Sequence, residues 1–398
     1  MRVKQLDLLR GLAILLVLGR HPVVEPPDGG FWGTLGQAWK HFGWTGVDLF
    51  FVLSGFLIGG LLFNEFNRTS SLDIPRFLVR RAFRIWPGYI ALLLFMLVVV
   101  PLAHPNGDLY TFSERFIALG PHFLHLQNYF GTIQLHTWSL AVEEHFYLFL
   151  PFVLFVLFRI SSSTTRLFTL VTIAAAMVAI TCLCLRLISA PNTPLSDLAW
   201  RLNPTHLRID SLFFGVFLSA FYHLMPQQFS ALAKHRTLLV CASLVLMSPM
   251  LLLPIETSIF VSTWGYTLLY LGYGCLLVVA VSSGETRSVA SRAVERVGVS
   301  SYGIYLWHWH LSIAVAGVFI PATATLRLSN GVRWAVAMAV YVFLAFLFGE
   351  LMEKMVGHPA LKIRDRLFPS TAAALNKKID PPPQFYPDAP GLSASIRG

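Results

Sequence analysis

Charged residues are scarce in this chain of 398 residues: Asp, Glu, Lys and Arg together make up 13% of it, against 55% for hydrophobic residues. So small a charged share excludes an ordinary soluble globular protein, in which about a quarter of the residues are charged. Segments of alternating polar and apolar residues, which the strands of a membrane barrel require, are also lacking. Long apolar runs remain, and helices satisfy their own backbone hydrogen bonds in lipid. The composition therefore predicts an all-α membrane protein.

Cysteine is scarce as well, with four residues and no CxxC pair. All four lie in predicted membrane spans, so we expect packing roles and no disulfide framework. A metal site is not predicted either, because His308 and His310 lack further ligands at a fixed spacing.

The apolar runs predict a bundle of about ten transmembrane helices around a polar central path. The predicted spans are residues 6–24, 46–63, 87–103, 143–159, 167–189, 208–224, 237–254, 261–282, 302–320 and 332–350. The first run does not end in the small residues of a signal-peptide cleavage site, so we expect it to be retained. We expect one integral-membrane domain over residues 1–352 and a basic, Pro-rich, disordered cytoplasmic tail over residues 353–398.

The net charge of +10 would suit a nucleic-acid partner, but its distribution indicates a membrane instead. With the N-terminus inside, most basic residues fall in cytoplasmic segments, notably the cluster Arg68–Arg84. This positive-inside bias predicts a multi-pass protein of the cell (inner) membrane that contacts membrane lipid and has both termini in the cytoplasm. The longest loops then lie on the outer face, where we expect an acceptor or ligand to be met.

Arg10 and His21 are eleven residues apart in the first apolar run, which places both near one face of a helix. At the helical rise their backbones are separated by roughly 16 Å along the axis. Ionisable groups inside a membrane are costly unless they face a polar cavity or a partner. The pair therefore predicts a polar path, with His21 as a base for an alcohol proton; an interfacial histidine bound to backbone is the alternative.

Three arginines, Arg80, Arg81 and Arg84, precede the third predicted span. Guanidinium groups bind phosphate in bidentate geometry, so the cluster suits a phosphorylated ligand such as coenzyme A. By charge alone, contact with anionic lipid is the favoured explanation. Ser54 lies in the small-residue segment Thr45–Gly60, which indicates either a close helix contact or the wall of a substrate tunnel. As a nucleophile, Ser54 would need an adjacent base.

Glu143 lies at the start of the fourth predicted span. Ser139, Glu143 and Tyr147 are spaced by four and form one stripe on a helix, whereas the adjacent Glu144 points elsewhere. A carboxylate on this stripe could orient or charge-stabilise a histidine from another helix, as in acyl-transfer sites. The alternative is a helix start favoured by acidic side chains.

Two further segments carry ionisable residues. Arg208 and Asp210 are too close in sequence to share a helix face, so we expect each to meet a partner from another helix. His308 and His310 alternate with tryptophans, which is typical of anchoring at the membrane interface.

These segments, taken together and in order, resemble the acyltransferase-3 family of integral-membrane O-acyltransferases. The matching segments are LDLLRGLAILLVLGRH, DLFFVLSGFLI, RRAFRIWP, HTWSLAVEEHFYL, THLRIDSLFFG and SYGIYLWHWHL. Each is a weak signal alone, but the ordered combination is specific and runs from the first predicted span to the ninth. The chain resembles the stand-alone members, which lack an appended esterase-like domain.

The resemblance implies O-acylation of an extracytoplasmic carbohydrate or a small hydroxylated molecule, with acetyl-CoA or another acyl-CoA as the donor and no metal. Surface polysaccharide, lipopolysaccharide, glucan, Nod-factor-like oligosaccharide and macrolide all remain open as acceptors. The catalytic candidates are His21, Glu143 and Arg10. The candidates for donor binding are Arg81, Arg84, Arg80 and Ser54.

Two other functions suit a polytopic protein with charges inside the membrane. A transporter or flippase of a polysaccharide precursor predicts inverted repeats, which the sequence does not display. A scaffold for polysaccharide assembly needs no buried charge, so Arg10 and Glu143 argue against it.

Overall fold

The computed structural model describes residues 4–100, 111–130, 135–194, 197, 201–284, 288–323 and 326–369. Within these residues the regular structure is helical and contains no strand, which confirms the all-α class. The helices are α1 (Lys4–Arg20), α2 (Gly30–Phe42), α3 (Gly46–Thr69), α4 (Ile74–Leu94), α5 (Phe112–Phe123), α6 (Trp138–Ile160), α7 (Thr164–Ser189), α8 (Thr205–Arg208), α9 (Asp210–Leu224), α10 (Pro226–Ala233), α11 (Arg236–Leu252), α12 (Tyr266–Val281), α13 (Val289–Val299), α14 (Ser301–Thr323), α15 (Asn330–Met352) and α16 (His358–Leu367).

Seven helical segments of the described chain are long and apolar enough to cross a membrane, or eight if the bent pair α10 and α11 is one span. Every predicted span overlaps a helix, but the count of about ten is not confirmed. Helices α1, α9 and α11 are only 17, 15 and 17 residues long. At 1.5 Å per residue they reach roughly 23–26 Å, less than the hydrocarbon core of about 30 Å. Hydropathy located these helices without determining how long each would be.

Helix α4 carries the arginine cluster, and its start is encoded locally. Asp73 caps the helix by accepting a hydrogen bond from the backbone N–H of Arg76 at 3.1 Å. Pro75 occupies the first turn, where its missing N–H leaves no helical hydrogen bond unmade. The cap determines where α4 begins and therefore on which turns the arginines lie.

Glycines allow two close helix contacts around the site. A Cβ atom on Gly55 of α3 would lie 1.9 Å from the backbone oxygen of Leu212 in α9. A Cβ atom on Gly298 of α13 would lie 1.8 Å from the backbone oxygen of Asp7 in α1. No side chain fits at such distances, so these helix pairs require glycine. The close-contact interpretation of the small-residue segment is confirmed at Gly55, whereas the adjacent Ser54 faces a cavity.

The segment after residue 352 begins as a helix. Helix α15 continues through a π-helical turn, Glu353–Gly357, into α16, and α16 packs against α4. The expected disorder is therefore corrected for residues 353–367, which are ordered by this packing. Residues 370–398 lie outside the described part of the chain.

Candidate active site

A cavity of about 510 Å³ lies between helices α1, α3, α4, α6 and α14. Five of the seven predicted site residues line this larger cavity, and they are Arg10, Ser54, Arg81, Arg84 and Glu143. They come from four different helices, so only the tertiary structure brings them together. Convergent polar groups on otherwise apolar walls are typical of a ligand site.

Ser54 and Glu143 are linked through Tyr147 on the wall of the larger cavity. The Tyr147 hydroxyl donates to the Glu143 carboxylate over 2.8 Å, and Ser54 Oγ lies 2.6 Å from the same hydroxyl. Because the tyrosine proton is directed at Glu143, the serine hydroxyl donates to Tyr147. Tyr147 is not a general base, but the carboxylate of Glu143 also interacts with Ser54, so a group that could act as a base lies near this serine. The shared stripe predicted for Glu143 and Tyr147 is confirmed.

The three arginines of the larger cavity differ in their partners. Arg10 pairs with Asp7 at 3.2 Å, and Arg84 pairs with Glu353 at 3.1 Å. Arg81 has no carboxylate partner among the described residues, and its Nε atom is buried without a hydrogen bond. Carboxylates of α6 act on this guanidinium through their charges, but none binds its N–H groups directly. This position therefore favours an anionic ligand.

The structure does not bring Arg80 to the larger cavity. Arg80 pairs instead with Asp365 of α16 at 3.1 Å and donates to the backbone carbonyl of Phe368. It precedes Arg81 by one residue, so the two side chains leave α4 in directions about 100° apart. The expected role of Arg80 in donor binding is corrected to a contact that holds α16 against α4.

A smaller cavity of about 100 Å³ adjoins the larger one, since Val47 and Tyr305 line both. His21 lines the smaller cavity, together with His136 and His308. The ring centroids of His21 and His308 are 5.3 Å apart, and those of His136 and His308 are 5.0 Å apart. Sequence reasoning identified one imidazole here, whereas the structure assembles three.

The imidazoles of His21 and His308 are both available as proton acceptors. No described residue hydrogen-bonds the ring of His21, which packs edge-on against Trp309 at 4.9 Å between centroids. Nδ1 of the fully buried His308 lies 2.6 Å from the Tyr305 carbonyl oxygen, so Nδ1 carries the proton and Nε2 accepts. Nε2 has no partner among the described residues. The interfacial interpretation of His308 is therefore wrong. Its alternation with tryptophan is typical of the membrane interface and gave no sign that the ring lines a buried cavity.

The structure does not bring Glu143 to His21. Glu143 lines the larger cavity and is held by Tyr147, whereas His21 lines the smaller cavity. The role expected for Glu143, orienting the His21 imidazole, is therefore not supported by the geometry. Its carboxylate belongs instead to the chamber that the arginines line.

An outer cavity of about 300 Å³ lies on the far side of His21. Arg20, His21 and Trp309 line both this outer cavity and the smaller one. The larger, smaller and outer cavities therefore form a series in which each shares wall residues with the next. Arg10 lines the first and His21 lines the other two, so the polar path predicted from this pair corresponds to the series.

Arg208 and Asp210 meet partners from other helices, as their spacing predicts. Arg208 donates to both carboxylate oxygens of Asp48 in α3, over 2.8 and 2.9 Å. Asp210 accepts from Arg186 of α7 over 2.8 Å. Both ion pairs are buried, and Arg208 also lines the smaller cavity. The sequence predicted a partner from another helix for Arg208, but not its position in the wall of a cavity.

An ion pair at the edge of the smaller cavity joins α1 to the turn that follows α11. Arg20 donates to Glu256 over 2.6 Å. Partial burial acts to raise the pKa of the Glu256 carboxyl, but the hydrogen bond and charge of Arg20 outweigh it and leave that pKa below its usual range. Glu256 is therefore ionised at neutral pH and holds the turn against α1.

A family of proteins described as "Acyltransferase domain" matches residues 3–350 of this chain. This match covers every helix that lines the three cavities. No solved structure matches the chain.

Three curated relatives cover most of the chain. It is 25% identical over 384 residues to peptidoglycan O-acetyltransferase OatA of Listeria monocytogenes, a match that covers 90% of this chain and 56% of that protein. It is 28% identical over 373 residues to the putative peptidoglycan O-acetyltransferase YrhL of Bacillus subtilis, covering 88% and 54%. It is 25% identical over 337 residues to O-acetyltransferase OatA of Staphylococcus aureus, covering 79% and 51%. The chain spans about half the length of these relatives.

Proposed function

The chain belongs to the acyltransferase family that matches its residues 3–350, and from this membership we propose that it is a membrane O-acyltransferase. It moves an acyl group, acetyl in the first instance, from acyl-CoA to a hydroxyl of an extracytoplasmic carbohydrate or glycosylated small molecule. The observation that carries this proposal is the series of cavities, in which an arginine-lined chamber adjoins an imidazole-lined one at Val47 and Tyr305. Transport of a polysaccharide precursor is less favoured, because the family is one of acyltransferases.

The larger cavity is the proposed site for the acyl-CoA donor. Arg81 forms no ion pair with a described carboxylate, and Arg84 lines the same wall, so the two suit the phosphates of coenzyme A. Arg10 and Ser54 line the cavity along which the pantetheine arm runs towards Tyr305. The arginine-rich end faces the cytoplasm in this arrangement, with both termini on the same side.

The outer cavity is the proposed entrance for the acceptor. Trp309 supplies a flat apolar face on which a sugar ring can pack, and Lys40 and Ser312 supply polar groups beside it. His21 lies between this cavity and the smaller one, where it takes the proton of the attacking hydroxyl. Because two of the relatives are named for peptidoglycan, a peptidoglycan-type glycan is the first acceptor to test, before lipopolysaccharide and macrolides.

The test is transfer of radiolabelled acetyl from acetyl-CoA to glycan fragments by the purified protein in detergent. Replacing His21 with Ala removes the base, and general-base catalysis contributes about 10²- to 10⁴-fold, so kcat should fall by that factor. His235→Ala is the matched control, because His235 is exposed and lines none of the three cavities.

Two results would count against the proposal. Equal activity of His21→Ala and His235→Ala would remove the base from the mechanism. Failure of the wild-type protein to acetylate any acceptor in a panel of glycans, lipopolysaccharide and macrolides would refute the function itself.

A further inference from the structure

Arg208 lies at the end of the short helix α8, and its side chain forms part of the wall of the smaller cavity, which His21 also lines. The side chain is only 3% exposed. A permanent charge buried this deeply in the wall of the cavity that holds the proposed base either joins two helices or takes part in the chemistry. The two roles are distinguished by what its N–H groups bind.

The guanidinium of Arg208 is held rigidly on one edge and on its faces. Nη2 donates to both carboxylate oxygens of Asp48. The central carbon of the guanidinium lies 3.8 Å from the centre of the Tyr266 ring and 4.9 Å from that of the Trp138 indole. These contacts set the plane of the group before any substrate arrives, which is the condition for strong electrostatic catalysis.

The remaining N–H groups of Arg208 are not used by the protein. Within the described residues, Nη2 is the sole atom of this side chain that donates a hydrogen bond, so Nε and Nη1 remain for a ligand. The neighbouring Arg186 lines none of the three cavities. It directs both terminal nitrogens at protein acceptors, which are the Leu207 carbonyl, Asp210 and Thr267.

We propose that Arg208 is a catalytic residue whose free N–H groups stabilise the oxyanion of the acyl-transfer reaction; this inference rests on the proposed function. The acceptor oxygen bonds to the thioester carbonyl carbon while its proton passes to His21. The carbonyl electron pair moves onto the oxygen, and that oxyanion accepts hydrogen bonds from Arg208. When the carbonyl re-forms, the C–S bond breaks and the departing thiolate takes the proton from His21. Asp48 and Tyr266 position the guanidinium throughout.

Arg20 is the other arginine that lines the smaller cavity, and it fits the role less well. Its side chain is 25% exposed, and its partner Glu256 is 46% exposed. Water around this pair screens its charge, whereas the pair of Arg208 and Asp48 lies in a medium of low dielectric constant. A hydrogen bond to a developing oxyanion is therefore stronger from Arg208.

The test compares the same substitution in two buried ion pairs. Arg208→Lys keeps a charge near Asp48 but removes the planar donors, so kcat should fall about 10²- to 10³-fold, the usual effect of losing an oxyanion donor. The KM for acetyl-CoA should stay close to the wild-type value, because the donor phosphates bind in the larger cavity. Arg186→Lys disturbs an equally buried pair outside the cavities, so it should lower Tm in detergent but leave kcat near wild type.

A second variant guards against misfolding of the first. The double variant Asp48→Asn with Arg208→Gln removes both charges together and leaves no unpaired ion, so it should fold and still lack activity. Wild-type kcat in either Arg208 variant, or an equal loss of kcat in Arg186→Lys, would overturn the proposal. The proposed function has its own criterion: it fails only if the wild-type protein transfers no acetyl group, whatever the Arg208 variants do.

Discussion

Replacing Arg81 with Gln should weaken the binding of acyl-CoA and leave the chemical step unchanged. Arg81 lines the larger cavity and forms no ion pair with a carboxylate among the described residues, so its N–H groups can bind a ligand. A hydrogen bond to a charged group contributes about 1.5–3 kcal/mol. Since each 1.4 kcal/mol is a factor of ten, the dissociation constant for coenzyme A should rise about 10- to 150-fold. Glutamine removes the charge but stays polar, and Arg81 lies in the donor cavity away from the reacting atoms, so kcat at saturating donor should remain near wild type.

Calorimetric titration of coenzyme A into the protein in nanodiscs measures this affinity, and steady-state kinetics measure kcat. Arg80→Gln is the matched control, because Arg80 is the preceding residue of α4 but contacts Asp365 and Phe368 outside the cavity. Arg84→Gln should have a smaller effect than Arg81→Gln, since Glu353 already offsets part of the Arg84 charge. Unchanged affinity in Arg81→Gln would refute the phosphate role and return the cluster to lipid contact. Equal losses in Arg80→Gln would show that general charge, and not position, governs binding.

Two further predictions concern stability, and thermal unfolding in detergent measures both. Gly55→Ala should lower Tm, because the new Cβ would lie 1.9 Å from the Leu212 backbone oxygen and overpacking costs about 1–3 kcal/mol. The control Gly317→Ala should not lower Tm, because a Cβ there meets nothing within 4 Å. Equal Tm values for the two variants would contradict the packing of α3 on α9. Acidification should weaken the pair of Arg20 and Glu256: the lowered pKa of Glu256 makes its stabilisation complete above the usual Glu value and lost as pH falls through the folded pKa. The Tm difference between wild type and Glu256→Gln should thus be largest near neutral pH and shrink below about pH 4. A difference independent of pH would argue against a stabilising ion pair between Arg20 and Glu256.

The sequence by itself determined the helical class and the approximate position of the long apolar helices, whereas the shorter helices α2, α5, α10, α13 and α16 lie outside the predicted spans. Every predicted span overlaps a helix, because hydropathy and local caps such as Asp73 depend on residues close in sequence. The stripe containing Glu143 and Tyr147 was equally accessible, since residues four apart on a helix are neighbours. The order of the motifs was enough to indicate the family, which the match over residues 3–350 establishes.

Only the tertiary structure decided which of these residues meet. It separates Glu143 from His21, turns Arg80 away from Arg81 and places His308 beside His21. Hydropathy records how apolar a segment is, but it does not record which neighbour the polar side of a helix will face. That choice depends on where glycines let helices approach and on which ion pairs the packing buries, and both join residues far apart in the chain. The free N–H groups of Arg208 follow from the same packing, because a side chain's unused donors are known only once all its partners are in place.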